Sequence, residues 1–223
     1  MYEMLRGPLI LIHWVTFFVV CLVLIIRFIN LYRSSRTMDP VLYDNWNWKW
    51  AFRSIVRWLI PFGSEGMKNH PFITLAYFSL HFTLLAMPVF ISSHIFFWRQ
   101  PTQAGLWLIS DRIADIMTVI FVASILFIVI RRAVAPEVRI VTTVGDYLLL
   151  ALVAAMFLTG YLAYHRWIAF GINYKNILIL HILLGELLMI LIPFTKLGHM
   201  ILFFFTRAII GVEFGARRGS RAW

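Results

Sequence analysis

Two histidines, His181 and His199, lie eighteen positions apart in one apolar run from Asn176 to Phe205. At about 100° and 1.5 Å per residue, an uninterrupted helix returns to the same face after that interval, roughly 27 Å along its axis. Each imidazole would then sit beneath one membrane surface, both on the same side. Two haems stacked across a bilayer and clamped between helices need one such nitrogen at each depth. The ordinary alternative is a core histidine hydrogen-bonded to a neighbouring helix. Ionisable groups inside a bilayer are costly and tend to be functional, and two in phase at opposite depths favour ligation.

A second helix must supply the opposing ligands. The run from Pro71 to Phe97 carries His81 and His94, with His70 just before it. His94 falls near the outer surface, as does His181 on a run crossing in the opposite direction, so these two match in depth. At the inner level His199 is matched almost equally by His81 and His70. The thirteen positions from His81 to His94 put an ideal helix about 220° out of phase, whereas His70 to His81 leaves only about 20°. Pro88 lies between His81 and His94 and can kink and rewind the helix. His81 is preferred, with His70, at the helix mouth, as its rival. A zinc site needs three or four ligands about 2 Å from one ion, which residues a membrane apart cannot supply. His13 and His165 have no in-phase partner and read as structural or surface residues, though either could line a quinol pocket.

The elements that must position these groups are membrane helices. The 223 residues are 61% hydrophobic and 13% charged, with mean hydropathy +0.84. A soluble domain is nearer half apolar and a quarter charged. The expected fold is all-α, one domain over 1–223, with five spans near Pro8–Phe28, Pro71–Phe97, Ala114–Ile130, Thr143–Tyr164 and 176–205. The first run is too long for a signal peptide, lacks a small-residue cleavage site, and is read as a retained span. The lone Cys21 leaves no internal disulfide, no Cys-x-x-Cys and no means of attaching c-type haem or holding an iron–sulfur cluster.

The net charge of +10 does not call for nucleic acid, because orientation accounts for it. Fourteen of the twenty Lys and Arg fall on the first and third connections and the C-terminal tail, which places the N-terminus outside and the C-terminus in the cytoplasm. Between spans one and two, 44–60 interleaves Trp and Phe with Lys49, Arg53 and Arg57 at intervals of four. That is an amphipathic helix for the headgroup region, or else a docking surface for a partner.

Three pieces resemble the membrane cytochrome b family of respiratory nitrate reductase gamma subunits. They are Arg131–Asp146, the pair Leu180–Gly185 and Pro193–His199, and His81 with His94, together covering about 71–210. The resemblance implies five spans, two b haems and a cytoplasmic iron–sulfur partner in the inner membrane. It implies His94 and His181 for the outer haem and His81 and His199 for the inner. Two features depart from that family: its span-two histidines lie ten apart rather than thirteen, and its first connection is shorter. The longer connection is similar to cytochrome b subunits of redox complexes in sulfate-reducing bacteria, which implies a periplasmic multihaem cytochrome c as a further partner beside other membrane subunits.

The expected role is electron passage across the membrane, with no bond chemistry performed alone. If menaquinol or another quinol is the donor, His94, His165 or Arg166 would border its pocket by the outer haem. Glu186 would relay protons or pair with a buried basic group from another span or subunit. Asp146, with Thr142 and Thr143, suits the cap of span four, and Asp115 and Lys196 can snorkel to water. The competing classes are a haem-free anchor or assembly subunit and a small transporter. No inverted repeat with broken helices favours the latter.

Overall fold

The computed structural model describes residues 2–95, 108–167 and 171–215. Arg99, Arg217, Arg218, Arg221 and the expected end of span two at 96–97 lie outside them. Among the described residues the main α-helices are α1 (Tyr2–Met38), α2 (Pro40–Asp44), α3 (Trp48–Leu59), α4 (Glu65–Asn69), α5 (Pro71–Phe90), α6 (Asp111–Val134), α7 (Pro136–Arg139), α8 (Val144–Tyr164), α9 (Tyr174–Leu191) and α10 (His199–Gly215). Two short 3₁₀ turns, Ile192–Phe194 and Lys196–Gly198, join the last two. Helix is the form these runs must take in lipid, where the backbone finds no other hydrogen-bond partner.

Among the described residues, six segments are long and apolar enough to cross a membrane, where the sequence leads one to expect five. The extra one arises because the run 176–205 is not a single helix. Pro193 has no N–H to continue the ladder. Thr195 then leaves helical geometry at φ −124°, ψ −176°, donates its hydroxyl to the Leu191 carbonyl at 2.7 Å and accepts from the Leu197 N–H at 3.3 Å. His181 and His199 therefore stand on different helices, and the eighteen-residue phase argument does not apply to them. The second run is broken as well. α5 ends at Phe90, the Ile109 N–H donates to the Phe90 carbonyl at 2.9 Å, and Ile91 bridges to Ile109 before helical backbone resumes over 92–95. The 220° objection to His81 and His94, built on one ideal helix, goes with it.

The chain divides into two compact units. The first comprises Met1–His70 with Gly185–Trp223. Within it α3 lies along α10: Leu42, Ala51 and Val212 form a buried cluster, and Tyr43, Trp46, Ala208 and Ile209 pack around it. Small residues permit the approach. A Cβ on Gly211 would meet the Trp50 carbonyl oxygen at 2.5 Å, and one on Gly215 would meet the Trp50 ring at 2.6 Å. Ser54 is buried and accepts from Arg207 Nη2 at 3.3 Å, and the Arg207 guanidinium sits 4.1 Å from the Trp58 ring centre. The basic segment is thus helical, as its spacing requires, with Lys49 and Arg53 exposed beside Trp50 and its small-residue face buried.

The second unit is Pro71–Leu184. Its centre is Phe121 of α6, fully buried and stacked on Phe157 of α8 with ring centres 3.6 Å apart. α8 begins with a capping box. The Asp146 carboxylate accepts from the Thr143 N–H at 2.8 Å and from its hydroxyl at 2.9 Å, as a helix start with these residues should.

Candidate functional site

Inside the second unit, His94 and His181 come together. Their ring centres are 5.9 Å apart and their planes differ by 3°. Carbon atoms in direct contact prefer about 3.5–4.0 Å, so the two imidazoles are not packed face to face. Two metal–imidazole bonds of about 2 Å, with roughly 1 Å more from each nitrogen to its ring centre, would set the centres about 6 Å apart. Residues His94 and His181 would be the ones to hold a haem iron here, at a separation that suits two imidazole ligands.

The surroundings of His181 prepare it for that role. Its Nδ1 lies 2.8 Å from the Met156 carbonyl on α8. A carbonyl only accepts, so Nδ1 carries the proton and the lone pair resides on Nε2. Ligating histidines are oriented by hydrogen bonds of this kind. Gly160, one turn further along α8, makes room for the ring. A Cβ there would lie 2.8 Å from His181 Cε1 and 3.1 Å from Nδ1. On the opposite side the break at Ile91 sets His94, half-buried, beside the buried Ile95.

The inner candidates share the same tautomer. His81 donates from Nδ1 to the Tyr77 carbonyl at 2.7 Å, and His199 donates from Nδ1 to the Lys196 carbonyl at 2.7 Å. His81 is half-buried within α5, and His199 is exposed at the start of α10. His70 closes α4 and is exposed.

The remaining polar residues form two pairs that the sequence did not connect. His165 ends α8, and its Nε2 lies 2.8 Å from Asp115 Oδ1 on α6, among the rings of Tyr161, Tyr164 and Trp167. Asp115 thus binds His165 rather than simply reaching for water. Arg166 follows at φ 55° and is exposed. In the first unit, His13 Nδ1 of α1 lies 2.7 Å from Glu186 Oε1 of α9. Glu186 thus has a basic partner on another span, which is one of the two roles weighed for it. Gly160 carries a sequence signal of its own for this packing. A glycine inside a helix costs up to about 1 kcal/mol against alanine, and its presence marks a close approach.

A protein of Nitratidesulfovibrio vulgaris is 34% identical over 223 residues, 99% of this chain and 96% of that relative. The chain belongs to that protein's family. The match takes in nearly the whole chain, both units included. No family model matches the chain, and no solved structure matches it.

Proposed function

We propose that this chain is a b-type cytochrome subunit of a respiratory redox complex in the bacterial inner membrane, holding two haems and passing electrons across the bilayer. One observation carries the reading: the parallel His94 and His181 rings at a separation that suits an iron between them. Bound there, a b haem supplies a one-electron carrier. The chain's own residues orient it. Met156 fixes the His181 tautomer, Gly160 clears its ring, and the backbone break at Ile91 offers His94. The resemblance assigns His81 and His199 to the second haem, and the carbonyl partner of each leaves Nε2 as the ligating nitrogen. Electrons come from a quinol or a periplasmic multihaem cytochrome c and leave to a cytoplasmic iron–sulfur subunit.

Five crossings, with the N-terminus outside, agree with the packing of the first unit. The pairs Trp58 with Arg207, Ser54 with Gly211 and Trp50 with Gly215 run antiparallel along α3 and α10. α3 exposes Lys49 and Arg53, charges that are costly in hydrocarbon. Residues 207–215, alongside it, then belong at the cytoplasmic headgroup level, and α10 adds no sixth crossing.

The test is an absorption spectrum of the purified chain, oxidised and then reduced with dithionite. Sharp α bands of low-spin b haem are expected. A featureless spectrum ends the reading and leaves a haem-free anchor of such a complex.

A further inference from the structure

α3 has three faces, and α10 covers one of them. Ala51 and Ser54 lie in the first sector, buried against Val212 and Gly211 of α10. Roughly 100° round the helix come Trp48, Phe52 and Leu59, all exposed, Trp48 by 76% and Phe52 by 69%. Roughly 100° further come Lys49 and Arg53, exposed as well. Arg57 continues that row, but its Nε donates to the Gly63 carbonyl at 2.8 Å and so closes the turn after α3. Between Asp44 and Glu65 the sequence has no acidic residue, and neither Lys49 nor Arg53 forms an ion pair among the described residues.

The two exposed cations are gathered on one ring. Lys49 Nζ lies 5.9 Å and the Arg53 guanidinium carbon 5.5 Å from the ring centre of Trp50, within reach of a cation–π attraction. Trp50 is itself seated on α10, where only glycine at 211 and 215 leaves room for its carbonyl and its indole. Small residues on one helix thus place an indole on the other, and the indole holds two positive heads. At a spacing of four residues their Cβ atoms stand about 6 Å apart, so both side chains can donate to the oxygens of one phosphate. The approach to α3 is tied to the end of α1, where Tyr43 donates to Ser35 Oγ at 2.9 Å and Arg33 and Arg36 are exposed.

We propose that α3 is a binding site for anionic phospholipid of the cytoplasmic leaflet. Lys49 and Arg53 hold the headgroup phosphate, and Trp48, Phe52 and Leu59 lie among the upper acyl chains. Charge selects the headgroup. A zwitterionic lipid brings its own cation to compete for the phosphate, whereas phosphatidylglycerol carries net negative charge and no competitor. The division of the exposed surface selects a bilayer over a soluble protein. Apolar and basic residues form separate stripes along the helix, as a boundary between water and hydrocarbon requires of a helix lying in it. A protein interface instead sets an apolar centre inside a polar rim and is poor in lysine. The leaflet rests on the topology proposed above; binding of the lipid needs no haem.

The experiment uses the full chain in phosphatidylcholine nanodiscs carrying a trace of photoactivatable phosphatidylglycerol or, in a parallel sample, photoactivatable phosphatidylcholine. Cross-linked peptides are mapped by mass spectrometry. The phosphatidylglycerol probe is expected on 48–60 in preference to the phosphatidylcholine probe. A basic side chain near an anionic surface strengthens binding about fivefold, so Lys49→Gln combined with Arg53→Gln should lower that labelling about tenfold or more. Both positions are exposed, so the fold is retained, and Lys49→Arg should keep the labelling. Equal labelling of 48–60 by the two probes, or labelling undiminished in the double variant, overturns the site. Hydroxyl-radical footprinting of the same nanodiscs reads the apolar stripe. Trp48 and Phe52 are expected to be protected; free oxidation of both would put this face in water, as a docking surface for a soluble protein, and overturn the proposal. Haem is measured on the same samples. Selective labelling without haem fails the electron-carrier reading alone, and full haem without selective labelling fails this one alone.

Discussion

Gly160→Ala is the smallest change that interrogates the His181 site. In an open helix position this substitution stabilises by up to about 1 kcal/mol, because alanine is the better helix former. Here the new Cβ would stand 2.8 Å from His181 Cε1 and 3.1 Å from Nδ1. Ordinary carbon contacts need about 3.5 Å or more, so the ring must retreat by roughly 0.7 Å or α8 must shift. A metal site tolerates displacements of only about 0.2 Å in its ligand distances. The 2.8 Å bond from Nδ1 to Met156, made on the same side of the ring, is disturbed too. Overpacking of this kind costs about 1–3 kcal/mol, which exceeds the helix-propensity gain. The assay is haem content by pyridine haemochrome, beside thermal unfolding of the same detergent-solubilised sample. The expected outcome is loss of about half the haem with no gain in stability. Full haem content together with a raised melting temperature would show that the ring does not occupy the space beside Gly160, and would refute the reasoning.

Three further outcomes follow from the packing. Asp115→Asn removes the charge beside His165; because both side chains are partly exposed, a stability loss of about 1 kcal/mol or less is expected, with haem content unchanged, measured by thermal melt and spectrum. Gly211→Leu drives a side chain into the Trp50 carbonyl and Ser54, so α3 should leave α10 at a cost of about 1–3 kcal/mol; limited proteolysis should then cut within 44–60, and an unchanged digest would contradict the packing. Asp146→Ala removes the capping box of α8 and should destabilise by about 1 kcal/mol, read as a lowered melting temperature.

The helical class was legible because lipid leaves the backbone no alternative, and composition alone shows the apolar runs. The Asp146 cap was legible because its three-residue spacing from Thr143 is local chemistry. The interruptions were harder to read. Pro193 was in plain view, yet hydropathy counts residues without registering the helix they form, so 176–205 read as one helix. Near Ile91 the sequence offered only Pro88, three residues earlier, as a kink; the bridge from Ile91 to Ile109 is a tertiary fact. The pairing of His94 with His181 by depth does not depend on either interruption, and the structure brings those two rings together. The in-phase argument for His181 and His199 does depend on one, and it fails. His165 with Asp115 and His13 with Glu186 are long-range pairs between helices, which no periodicity along one helix can reveal.

The most direct measurement is the haem-to-chain ratio of the purified wild type and of the His94→Ala and His181→Ala variants. Two haems per chain in the wild type, falling to one in each variant with the same component lost, is the predicted result. A wild type without haem, or both variants retaining two, would contradict the account at its centre.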